Sequence, residues 1–293
     1  MAGLALLLGA SIAVIFGNPY AATTRKLTSQ FLQAAVIGLG AGMDLRVVMR
    51  VGLASVGYTA VSIVGCLGLG MVLRRVFAVS ANTGLLVAVG TAICGGSAIA
   101  AVAPVLRAEP DEVSMSLATV FVLNAVALFI FPPLGHAFGL DASQFGLWCA
   151  LAIHDTSSVV GASMSYGSRA LEVATTVKLA RALWIIPVTL AVSEWVARRS
   201  GDKSAAKPAR PWFIAGFVLA AALVTYVPTL APAGQLVATF ARWLMVLTLF
   251  LIGSGLTPSA LRRVGIRPFV QGATLWLLVG SVSLLAIAKR WIG

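Results

Sequence analysis

Apolar runs recur along this chain at close to the length of a bilayer-crossing helix, about 20 residues, with short polar gaps between them. They fall at 2–17, 29–48, 51–73, 82–107, 113–134, 145–165, 171–197, 211–229, 236–260 and 267–288. The pattern predicts an all-α, polytopic membrane helical bundle of about ten spans. No Lys or Arg precedes the first run, so it reads as a retained span and not as a signal peptide; Asn18-Pro19 ends it. Trp195, Trp212, Trp243 and Trp291 fall near run ends, where interfacial aromatics belong.

Composition narrows the class. Hydrophobic residues make up 59% of the 293 positions, charged residues only 10%, and mean hydropathy is +0.98. These values exclude a soluble enzyme, a disordered chain and a fibrous protein. The net charge of +12 would suggest nucleic acid in a soluble protein. Here the basic residues sit in the gaps between apolar runs, as the positive-inside rule requires, and form no binding stripe. With ten spans, one side collects twelve basic residues, including Arg25, Lys26, Arg74, Arg75, Arg262, Arg263 and Arg267. The other side has six: Arg46, Arg50, Arg107, Arg169, Lys289 and Arg290. The richer side is expected to be cytoplasmic, with both termini outside. Residues 198–210 form a polar cytoplasmic linker within a single integral membrane domain, 1–293. Cys66, Cys94 and Cys149 lie inside apolar stretches with no paired spacing, so neither disulfides nor a metal site is expected.

Two internal similarities stand out. IGLGAGMDLRVVMRVGLA at 37–54 resembles IGSGLTPSALRRVGIR at 252–267. Their spans run in opposite directions, which makes an inverted repeat of the kind many secondary transporters carry. Segment 84–134 also resembles 146–190. In a ten-span count these two run parallel, so either a segment is re-entrant or the match is convergent.

Chemistry is expected where the spans break. Cys94-Gly95-Gly96-Ser97 interrupts one, and two interior glycines cost about 1 kcal/mol each relative to alanine. Freed backbone groups are tolerated in a membrane where they line a cavity or pack in protein. Ser97 could cap a half-helix whose N–H groups donate to an anion; close packing of small residues is the alternative reading. His154-Asp155-Thr156-Ser157-Ser158 interrupts another run, and five polar residues in succession are hard to explain by packing. Lys178 and Arg181, three apart, share one helix face, and Asn124 occupies the comparable place in its span. Asp155, Lys178 and Arg181 together carry a net +1, which favours an anion over a sodium-only site; a buried ion pair between Arg181 and Asp155 is the structural alternative.

At these residues the chain resembles the sulfate-exporter family of YeiH-like conserved membrane proteins. The resemblance rests on IGLGAGMDL, AICGGSAIAAVAPV, IHDTSSVVGA and ATTVKLARALWIIPV and covers nearly the whole chain. It implies a bacterial inner-membrane protein similar in fold to sodium/proton antiporters and bile-acid symporters, with a panel and a core domain. Members usually carry one more N-terminal helix, and this chain starts at what is their second. The expectation is a secondary transporter, an exporter of a small anion such as sulfate, sulfite or an organosulfonate. Gly95, Gly96, Ser97, Thr156, Ser157 and Asn124 would bind it, with Lys178 and Arg181 as counter-charges. His154 or Asp155 would carry a coupling proton; sodium is the other candidate ion. No cofactor is expected beyond that ion, and the only partners are the bilayer and the anion, with a homodimer left open. No GxxxxGK[ST] sequence exists, so the chain does not hydrolyse ATP. The alternatives are an anion channel and, less favoured, an intramembrane hydrolase using Cys94 or a serine with His154, for which no nucleophile elbow exists.

Overall fold

The computed structural model describes residues 2–200, 212–255 and 265–292; among them every regular element is helical. The helices are α1 (Ala2–Phe16), α2 (Ala21–Gly40), α3 (Leu45–Val76), α4 (Ala81–Ala92), α5 (Gly96–Val102), α6 (Pro110–Ala137) and α7 (Ala142–Ala152). After these come α8 (Thr156–Tyr166), α9 (Ser168–Ala182), α10 (Ile185–Ser200), α11 (Trp212–Tyr226), α12 (Ala231–Ser254) and α13 (Ile266–Ala288). Five stretches, Leu45–Val76, Asp111–Ala137, Ser168–Arg198, Pro228–Ser254 and Ile266–Ala288, are long and apolar enough to cross a membrane, and shorter apolar helices accompany them. Most of the linker and of the second copy of the 37–54 similarity, residues 201–211 and 256–264, lies outside the described residues.

The expected ten spans need correction at two runs. Run 82–107 is not one helix but α4 and α5, separated at Ile93–Gly95. Ser80 Oγ and Asn82 Nδ2, at the start of α4, donate to the two oxygens of Glu112, in the first turn of α6, at 2.9 Å each. The chain therefore enters the bundle along α4, turns, and comes back to the end it left. Run 145–165 does the same from the opposite end. At the close of α8 the Tyr166 hydroxyl donates to Leu140 O at 2.6 Å, and its ring stacks on Phe145 of α7 at 3.8 Å. Arg169, opening α9, reaches back to Ser143.

Local chemistry writes these turns. Glu109 and Glu112 form a capping box with Pro110 in the first turn of α6, and Asp141 and Gln144 form another at α7. Both mark places where a helix must start, and both occur at hairpin mouths. Pro187 breaks the α9–α10 stretch: its ring excludes the carbonyl four residues earlier, and α9 ends at Ala182.

One consequence is electrostatic. Arg107, assigned above to the side poorer in charge, follows α5 and so lies at the end where Arg74 and Arg75 close α3. Of the six basic residues assigned above to the poorer side, five are left there, Arg46, Arg50, Arg169, Lys289 and Arg290, which sharpens the expected charge asymmetry.

The helices pack in two groups. α1, α2, α11 and α12 form one layer; α3, the two hairpins, α6, α9 and α13 form the other. Between them α8 touches α1 and α12.

Single cysteines test the hairpins directly, because the native thiols at 66, 94 and 149 are buried. A cysteine at Arg107 is expected to react with an impermeant maleimide from the same side as one at Arg75, and one at Gly139 from the other. Labelling of the 75 and 107 positions from opposite sides would restore the full crossing.

Candidate functional site

The two hairpins meet at their tips. Gly95 holds φ +68°, a left-handed conformation that an alanine would adopt only under strain. A Cβ on Gly95 would lie 3.5 Å from both the backbone N and the Cα of Asp155. The two breaks therefore touch, within one helix diameter of each other, as a single site requires.

Around this contact, carbonyls at the C-terminal ends of α4 and α7 lie together without helical partners of their own. Arg181 supplies the donors. Its Nε donates to Ala92 O at 2.6 Å and its Nη2 to Thr91 O at 3.4 Å, both on α4. Its Nη1 donates to Ala150 O at 3.2 Å and to Leu151 O, both on α7. Lys178, one turn earlier on α9, donates from Nζ to Ile153 O at 2.7 Å. Both side chains are fully buried. A helix C-terminus carries roughly half a negative charge, so two cations facing two such termini are matched by charge as well as by hydrogen bonds.

This arrangement places the expected counter-charges. Arg181 and Lys178 are brought to the tips, but most of their donors point at backbone carbonyls. The buried pair considered above, Arg181 with Asp155, does not form within 4 Å among the described residues; the ion pairs there are Arg169–Glu172 and Arg198–Glu194.

Asp155 has its own task. It is the N-cap of α8, accepting from Ser157 N at 3.0 Å, with the Ser157 hydroxyl also on its carboxylate. Asn124 of α6 accepts from Asp155 N at 3.1 Å, while its Nδ2 is buried with no partner. The N-terminal end of α8 is thus already faced by a carboxylate. Thr156, Ser157 and Ser158 are buried beneath it. His154 is buried too, its Nε2 3.1 Å from Thr91 Oγ1. In contrast, Ser97 is exposed, and Gly96 and Asp155 are partly so. Of the ten expected residues, these three keep accessible surface; Gly95, Asn124, His154, Thr156, Ser157, Lys178 and Arg181 are buried.

Sequence reasoning passed over Thr91, which meets both His154 and Arg181. Its signal was a hydroxyl one turn before the Cys94 break, indistinguishable in sequence from ordinary back-bonding to the preceding turn.

Removing Arg181 should open this junction. Hydrogen bonds to a charged group are worth about 1.5–3 kcal/mol each. Arg181→Gln is expected to lose about 3 kcal/mol or more, read as a fall of roughly 6 °C or more in the melting temperature. Arg181→Lys should recover only part of it, since one ammonium cannot serve both helix ends. A wild-type melting temperature in Arg181→Gln would contradict this role.

The family model described as "Conserved hypothetical protein 698" matches residues 2–272. A UPF0324 membrane protein of Bdellovibrio bacteriovorus is 56% identical over 98% of this chain and 89% of its own length. Relatives with the same family name in Geobacter sulfurreducens and Bacteroides thetaiotaomicron are 45% and 46% identical, over 98% and 96% of this chain and 91% and 84% of theirs. No solved structure matches the chain.

Proposed function

Since the chain belongs to the UPF0324 family of membrane proteins, we propose that it is a secondary transporter of a small anion, of the class of sulfate, sulfite or an organosulfonate. The observation that carries this reading is the contact of two hairpin tips, Gly95 against Asp155, entered from opposite ends of the bundle. Broken helices meeting in the interior are the way membrane proteins build a midplane site without exposing unpaired backbone to lipid. The relation between 84–134 and 146–190 supports it: α4, α5 and α6 and then α7, α8 and α9 repeat one hairpin-plus-helix unit with inverted direction. The α1–α2–α11–α12 layer corresponds to the panel, and the other group to the core. The Arg74, Arg75 and Arg107 end is then cytoplasmic, in the bacterial inner membrane.

The charge at the tips gives the mechanism. Arg181 and Lys178 are a fixed positive background behind the site, and the anion lies on the open face at Gly96 and Ser97. There it meets the Asp155 carboxylate. Two negative charges side by side repel, so the anion needs a coupling cation there. Of the two candidate coupling residues, Asp155 is partly exposed and His154 is buried, so Asp155 is the proposed coupling group. A sodium ion on the same carboxylate is the second reading, favoured by the partial exposure of Asp155.

Reconstituted liposomes with labelled sulfate, sulfite and a sulfonate test the proposal. Uptake is expected to saturate and to respond to an imposed pH gradient in the wild type, and to lose that response in Asp155→Asn. Gly96→Leu should abolish uptake without lowering the melting temperature. A Cβ there only reaches ordinary contact, 3.4 Å from the side chains of Leu117 and Phe121, and Gly96 is partly exposed. Uptake equal to that of protein-free liposomes for every oxyanion would defeat the anion reading, and a flux that never saturates would make the protein a channel.

A further inference from the structure

A second feature lies away from the hairpin tips, on the outer surface of the bundle. α3 and α10 diverge to leave an apolar groove of 410 Å³. Ile63, Leu67 and Met71 form one bank, Val188, Ala191 and Trp195 the other. The groove follows α3 from Ile63 to Met71, about 12 Å at 1.5 Å per residue. One leaflet of a bilayer has a hydrocarbon thickness of about 15 Å, half of the ~30 Å core. Its length is thus that of a lipid tail in a single leaflet and not that of a whole transmembrane helix.

Its two ends differ. At one end the Ile63 side chain is buried. One turn beyond Met71 stand Arg74 and Arg75, the last basic residues of α3. The stem of Arg74 lies against Gly84, next to Leu85, which itself lines the groove. Arg74 Nε is buried with no hydrogen-bond partner, and Arg75 is exposed. On the facing bank Arg198 is paired with Glu194 at 2.8 Å, so among these described side chains the positive charge offered to a headgroup is that of Arg74 and Arg75.

We propose that this groove binds an anionic glycerophospholipid, its acyl chain along Ile63–Met71 and its headgroup phosphate at Arg74 and Arg75. The apolar walls match a tail, the leaflet-long reach matches one lipid, and two arginines one turn beyond Met71 match a phosphate. This site is independent of the transport reading and requires only that the chain lie in a bilayer.

Native mass spectrometry of the purified protein tests it, with phosphatidylglycerol and phosphatidylcholine of identical chains as probes. The wild type is expected to retain one phosphatidylglycerol in preference to phosphatidylcholine, by about fivefold for each arginine engaged. Arg74→Gln/Arg75→Gln should bring the ratio close to one, and Arg75→Gln alone, at an exposed position, keeps the test valid should the double variant misfold. Ala191→Trp, which fills the groove from its open side, should displace the bound lipid whatever its headgroup. Equal retention of the two lipids by the wild type would overturn the proposal, as would a preference that survives both the arginine and the tryptophan variants. So would a dimer of this chain that Ala191→Trp converts to monomer, since the groove would then hold a second copy.

Discussion

Arg181 is the residue on which the interior of this protein depends. Two half-helices, α4 and α7, end inside the bundle, and in a medium without water their last carbonyls have nowhere to turn. A single planar guanidinium faces both ends at once, with hydrogen bonds to Thr91 and Ala92 on one side and to Ala150 and Leu151 on the other. Lys178 adds the same service at Ile153. Without these cations the two hairpins would place two partial negative charges against each other. With them, the tips approach closely enough for Gly95 to touch the backbone of Asp155.

Because the cations are turned inward, the expected site residues that keep accessible surface are a glycine, a hydroxyl and one carboxylate: Gly96, Ser97 and Asp155. The proposed anion site rests on these three, with Arg181 and Lys178 as fixed positive charge behind them.

Much of this was legible in the sequence. Membrane class followed from apolar run lengths, and both helix breaks were visible as Gly95-Gly96 and His154–Ser158 in otherwise apolar runs. That Lys178 and Arg181 lie close together followed from their spacing of three. What the pattern concealed was direction. A hairpin of two short apolar helices and one long crossing helix have the same hydropathy, so 82–107 and 145–165 read as spans. Asp155 was the available correction in the second run, since an N-cap residue there requires a helix start that the run length does not show. The partners of Arg181 were not legible, because they are backbone carbonyls, which every residue possesses. A buried cation in the sequence points to some acceptor, and only the fold says whether that is a substrate, an aspartate or the end of a helix.

Hydrogen exchange read by mass spectrometry addresses that distinction most directly. In Arg181→Gln, held below its melting temperature, amides of residues 89–95 and 150–155 should lose protection together and to a similar degree. The stretch around the buried Leu275 of α13 should keep its protection and serve as the reference. Loss at one tip alone, or unchanged exchange at both, would contradict a guanidinium that holds the two half-helices to each other.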